Sequence, residues 1–204
     1  MVNNTQQDNR TELLCKIKDE IIAGSHLPLY KERTKNGVFP VIGEGNHHAK
    51  IMFIGEAPGK NEAAMGRPFC GASGRILDEL LASAGIARKD VYVTNIVKDR
   101  PPMNRDPFPK EIDAYAPYLD RQVEIIRPKV IATLGRFSMA YIMTKFGLEN
   151  ELKSISQIHG RIFDAKTAYG TINLVPLYHP AVAVYNGSMK EALIKDFEIL
   201  KKFK

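Results

Sequence analysis

The chain has 204 residues, 44% apolar and 25% charged, enough to bury a full core without disulfides or metals, so one globular domain over 1–204 is expected. Its 29 Lys and Arg outnumber 23 Asp and Glu, a net charge of +6 that favours a polyanionic partner. The two cysteines, Cys15 and Cys70, lie too far apart for a metal motif, the N-terminus is polar, and no run of about eighteen apolar residues occurs, which excludes a disulfide framework, a secretory leader and a membrane span, and implies the cytoplasm.

Residues 11–23 repeat Leu13, Leu14, Ile17, Ile21 and Ile22 at helical spacing, with Gly24 as the stop, so 1–24 reads as an N-terminal helix and 25–204 as the motif-bearing core. Residues 25–49 are rich in Pro, Gly and charge. The apolar run 50–54 then ends at Gly55 and predicts the first buried strand, and 91–97, 130–134 and 171–177 predict three more. Helical patterns cover 74–84, 110–126, 135–145 and 189–203. Strands that are nearly continuous in apolar residues and alternate with helices imply an α/β fold. The expected form is a three-layer αβα sandwich around a mainly parallel, four-stranded sheet.

Ligands of such sheets bind beyond the carboxyl ends of the strands. The first strand leads into Gly55-Glu56-Ala57-Pro58-Gly59, the second ends at Asn95, the third at Gly135 and the fourth at Tyr178-His179-Pro180. A carboxylate, a carboxamide and an imidazole would therefore share one mouth. Glu56 is either a solvated loop acid or a side chain held by the flanking Gly and Pro for a task. His179 is a satisfied strand-end histidine or a site residue, and Asn95 an Asx-type terminator or a reader of polar edges. The stretch 66–74, GRPFCGASG, opens a helix without matching either phosphate-loop pattern. Its Phe69 either packs or stacks on a flat base. Adjacent His47 and His48 lack a third ligand at usable spacing, so no metal site is expected.

Taken together and in order, GEAPGKNE, GRPFCGASG, VYVTNIVKDRPPMNRDP, PKVIATLG and LYHPA resemble the family-four uracil-DNA glycosylases, from about Leu29 to the C-terminus. The block LYKERTKNGVFPVIGEGN is similar to that family's as well. The resemblance implies an enzyme that flips uracil out of single- or double-stranded DNA and hydrolyses its glycosidic bond, leaving an abasic site for base excision repair. It implies that Glu56 activates the attacking water and that His179 hydrogen-bonds uracil O2 as charge builds on the leaving base. Gly55, Ala57, Glu62, Phe69 and Asn95 would line the base pocket, with Glu62 crowding uracil C5 to exclude thymine, Phe69 stacking and Asn95 reading the polar edge. Pro180, Val182, Val184 and Tyr185 occupy the wedge region that fills the space left by the extruded base, without the family's usual leucine and arginine. Lys60, Lys98, Arg100 and Arg105, clustered near the motifs, would neutralise phosphates.

Family members hold an iron–sulfur cluster with four cysteines. The matching positions here are Gly24, Leu27, Asp99 and Tyr115, none able to supply a thiolate, so the chain is expected to carry no cluster or other cofactor. Packing of Leu27, Leu29 and Tyr115 is expected to hold the segments that the cluster pins. The basic, histidine-bearing insertion of a branch that traps the sugar covalently is absent from VKDRPPMNRDPFPKEI, so ordinary turnover by a monomer is expected. The rival readings are a glycosylase for another deaminated base and a non-catalytic DNA-binding relative. A nucleotide-using enzyme of similar fold lacks any phosphate-loop support.

Overall fold

The computed structural model describes residues 8–203. In chain order its main elements are α1 (Arg10–Ala23), α2 (Tyr30–Lys35), β1 (Glu44–Gly45), β2 (Ile51–Gly55), α3 (Lys60–Met65), α4 (Ala72–Ser83), β3 (Tyr92–Asn95), α5 (Pro109–Ile126), β4 (Val130–Leu134) and α6 (Arg136–Lys145), followed by α7 (Ile155–Ile158), β5 (Phe163–Thr167), β6 (Gly170–Leu177), α8 (Ala181–Tyr185) and α9 (Lys190–Glu198).

The sheet runs β1-β3-β2-β4-β6-β5. Its four central strands are the four that hydrophobic runs predict, and all of them are parallel. The expected count of four is corrected to six among the described residues by two antiparallel edges, β1 on β3 and β5 on β6. β1 is only two residues long. β5, FDAKT, buries alternate residues and is bounded by a tight turn at Gly170 (φ 122°), a pattern that apolar runs do not flag.

Alternation along the buried strands divides the core between the two sheet faces. Met52, Ile54, Tyr92, Ile131 and Leu174 pack with Leu14, Ile17, Tyr115, Leu119 and Ile142. Phe53, Val93, Ala132, Val175 and Leu177 pack with Leu77, Leu80, Leu81, Leu193 and Phe197. Helices α1, α5 and α6 thus cover one face and α4 and α9 the other, which gives the three expected layers. The chain leaves β2 toward β3 and leaves β4 toward β6, so the connections diverge between β2 and β4. The carboxyl ends at that switch point are where an open parallel sheet offers a crevice. No helix of the described residues is long and apolar enough to cross a membrane.

Candidate active site

β2 ends at Gly55, whose register partner is Asn95 at the end of β3. A Cβ on Gly55 would lie 2.3 Å from the Asn95 Oδ1 and 2.9 Å from the Phe69 ring, so glycine is what lets carboxamide and ring converge there. Phe69 is buried and held in the left-handed region at φ 50°. Two features fix it. A Cβ on Gly74 would strike the Phe69 carbonyl at 1.8 Å, so that glycine admits the loop against α4. Glu62 Oε1 accepts from the Cys70 and Gly71 amides at 3.1 and 2.8 Å, tying the loop to α3. The Phe69 ring then stands 5.6 Å from the His179 ring, tilted by 31°.

A pocket of about 660 Å³ opens here, lined by Glu56, Ala57, Glu62, Phe69, Asn95, Arg136, His179 and Tyr185 among others, within the size range of small-molecule sites. The Glu56 carboxyl makes no hydrogen bond or ion pair among the described residues. Burial, helped by the nearby Asp106 charge and opposed by Arg136, raises its pKa from 4.5 to about 7. His179 Nδ1 accepts the Ala181 amide at 3.1 Å, which puts its proton on Nε2 and leaves that N–H available to a ligand. Burial lowers the imidazole to about 4, so it is neutral at physiological pH. The Asn95 side chain, 2% exposed, has no hydrogen-bond partner among the described residues. The structure therefore brings Glu56, His179, Ala57, Glu62, Phe69 and Asn95 together around one cavity, with Gly55 beneath them.

The model of the uracil DNA glycosylase superfamily matches residues 42–201, which include every one of these side chains. The chain belongs to that superfamily. It is 46% identical over 92% of its length to a type-4 uracil-DNA glycosylase of Sulfurisphaera tokodaii, covering 83% of that protein. To the type-4 enzyme of Archaeoglobus fulgidus it is 42% identical over 92% of its length and 91% of the relative. To that of Thermotoga maritima it is 36% identical over 95% and 96%. The family-four likeness of the motif blocks is thereby upheld.

For this superfamily member the phosphate contacts expected from sequence need correction. Lys98 is fully buried, its ammonium bonded to Thr94, Asn95 and Gln122, so it cannot meet a phosphate; a charge count along the chain does not reveal that the segment after β3 turns it inward. Arg105 lines the pocket, but its guanidinium binds Glu111 through two bonds of 2.7 and 2.8 Å and lies 3.8 Å over the Phe108 ring. Arg100 braces Asn104 at 2.6 Å. Lys60, exposed at the start of α3, is in no ion pair among the described residues. Pro180, buried, precedes α8, Val182 lines the pocket, and Val184 and Tyr185 are 42% and 90% exposed. Arg136 and Asp106, paired with each other near Glu56, were missed. Arg136 directly follows the strand-end Gly135 and was open to detection; Asp106 carries no such mark.

The four cluster positions do not fit an iron–sulfur centre, which requires thiolates. Leu27 folds back so closely that a Cβ on Gly24 would lie 2.8 Å from it. Asp99 accepts from the Tyr115 hydroxyl at 2.6 Å and from Arg33 Nη1 at 3.0 and 3.1 Å. Arg33 also donates to the Ile21 and Ile22 carbonyls at the end of α1. Asp99, Tyr115 and Arg33 are all buried, and burial raises the Asp99 pKa despite its partners. Packing of Leu27, Leu29 and Tyr115, the expected brace, is present, joined by this ion pair. The pair was not legible because Arg33 stands 66 residues from Asp99. Among the described residues no three His, Cys, Asp or Glu side chains are grouped to hold a metal ion.

Proposed function

We propose that this chain is a monofunctional uracil-DNA glycosylase that works without an iron–sulfur cluster, hydrolysing the glycosidic bond of a uracil flipped out of DNA. One observation carries the reading: a carboxyl, a carboxamide and an imidazole N–H, none engaged among the described residues, share a pocket with a flat aromatic ring. Those are the groups that a planar, polar-edged base and its hydrolysis call for. Uracil stacks on Phe69 and offers its O4 and N3–H edge to Asn95, whose acceptor and donor match it and mismatch cytosine. Glu56 takes a proton from water as the oxygen bonds to C1′. The C1′–N1 electron pair departs with uracil, whose O2 receives the His179 Nε2–H bond. A buried carboxylate also stabilises positive charge developing on the sugar.

Glu62, which lines the pocket and holds the Phe69 loop through its bonds to the Cys70 and Gly71 amides, crowds the C5 edge of the base in this reading. Lys60 and the α8 residues Val184 and Tyr185 meet the DNA around the flipped nucleotide, on single or double strands. Two free cysteines suit the cytoplasm as the working compartment, and the site, whole within one chain, suits a monomer.

The test is incubation with end-labelled oligonucleotides bearing one uracil, followed by alkaline cleavage, beside Glu56→Gln and His179→Ala. Cleavage by the wild type without added iron, falling sharply in both variants, is expected. No cleavage of any uracil substrate sinks the reading in favour of another lesion or a binding role.

A further inference from the structure

Lys98 is a fully buried lysine with no carboxylate partner among the described residues. Its Nζ lies 2.8 Å from Thr94 Oγ1, 2.6 Å from the Asn95 carbonyl and 2.6 Å from Gln122 Oε1. The acceptor role of each neighbour is set by its other bonds. The Thr94 hydroxyl donates to the Ile42 carbonyl at 2.6 Å. The Gln122 amide nitrogen donates to the same carbonyl at 2.9 Å and to the Tyr92 hydroxyl at 3.2 Å, which turns Oε1 toward the lysine. Three acceptors meet the three N–H donors of an ammonium one for one, with no place for a lone pair. Burial pushes the group well below lysine's ordinary range, and these charge-assisted bonds oppose that push.

What this cation holds is the backbone under the pocket. It binds the Asn95 carbonyl, and the next two amides, Ile96 and Val97, donate to the carbonyls of Gly55 and Glu56 at 3.0 Å each. The Lys98 carbonyl in turn accepts from Val41. The Asn95 carboxamide has no partner of its own among the described residues, so its backbone and its wedged place beside Gly55 aim it.

We infer that Lys98 is a positioning residue, a caged cation that fixes the end of β3 so that Asn95 presents its carboxamide edge to the base. This rests on the assignment of Asn95 as the reader of uracil. Lys98→Met keeps the stem and removes the cation from its cage. Its kcat on uracil DNA is expected to fall about tenfold to a hundredfold, as misplaced site groups do, with KM within about threefold. In an Asn95→Ala background the same change is expected to cost less than about twofold, because the two act as a unit.

A second readout is independent of turnover. The Asn95 side-chain amide, assigned in a nitrogen–proton correlation spectrum by its loss in Asn95→Ala, is expected as one sharp pair in the wild type and as a broadened or doubled pair in Lys98→Met. Losses that multiply across the double variant, or an unchanged amide pair, overturn the inference. An inactive wild type would instead remove the uracil reading and leave the spectrum to decide on Lys98. If Lys98→Met does not fold, Gln122→Leu breaks one side of the cage, and the same non-additivity and amide broadening are required of it.

Discussion

Two sets of enclosed polar groups lie on either side of the β3 terminus, and they differ in one respect. Behind it, Lys98 and the Arg33–Asp99–Tyr115 group have their hydrogen-bonding capacity met by protein. In front of it, the side chains of Glu56 and Asn95 and the Nε2 edge of His179 have no partner among the described residues. Groups left unsatisfied in a folded chain are destabilising, so their persistence beside a cavity marks where a ligand completes the bonding. The saturated set holds the fold together, and the open set is the one that the proposed reaction uses.

The most severe break of this contrast is on the open side. Glu56→Gln is expected to lower kcat by about 10²- to 10⁴-fold and His179→Ala by about 10²- to 10³-fold, in single-turnover assays, with neither variant losing thermal stability enough to account for it. On the saturated side, Arg33→Met leaves the Asp99 carboxyl buried without its cation and is expected to cost about 3–5 kcal/mol in denaturant unfolding. Adding Asp99→Leu and Tyr115→Phe is expected to recover most of that loss. A single variant as stable as the wild type would end the claim that this ion pair braces the region.

The pH dependence sharpens the contrast further. With Glu56 raised to about 7 and active when ionised, the rate is expected to climb as pH rises through about 7 and then level. His179, lowered to about 4, is neutral throughout that range and adds no limb. Stability carries the opposite sign. A carboxyl whose folded-state pKa lies above its unfolded value binds its proton more tightly when folded, so stability declines as pH rises from 4.5 to about 7. Glu56→Gln is therefore expected to be more stable than the wild type at pH 8, by on the order of 1 kcal/mol after screening. A rate already flat between pH 5 and 8 would contradict the raised carboxyl.

The smallest effect is expected at the rim. Tyr185→Ala removes a side chain that is 90% exposed, so it should leave stability and single-strand cleavage unchanged while slowing duplex cleavage by about threefold to tenfold, the loss of roughly 1 kcal/mol of wedge contact. Equal slowing on both substrates would assign Tyr185 a role inside the pocket.

The central strands were legible because each is a short apolar run between breakers, and the strand-end rule then located Glu56, Asn95 and His179. Residues acting across long separations were not. Arg33 reaches Asp99, in the loop after β3, from α2, and Gln122 reaches Lys98 from α5. Lys98 itself was misread because its neighbours in sequence, Asp99 and Arg100, make the stretch look solvated, although Asp99 is buried as well. The edge strand β5 escaped because half of its residues face water. Glu62 lines the pocket, yet its grip on the Cys70 and Gly71 amides depends on a loop geometry that no spacing announces.

The Arg33–Asp99–Tyr115 knot consists entirely of groups that translation itself supplies. It closes as soon as α1, α2, the residues after β3 and α5 meet, independently of any assembly factor that delivers iron or sulfide. Its atoms also offer peroxide and superoxide nothing to strip away. On the proposed cluster-free reading, the folding of this joint is expected to be insensitive to the supply of iron.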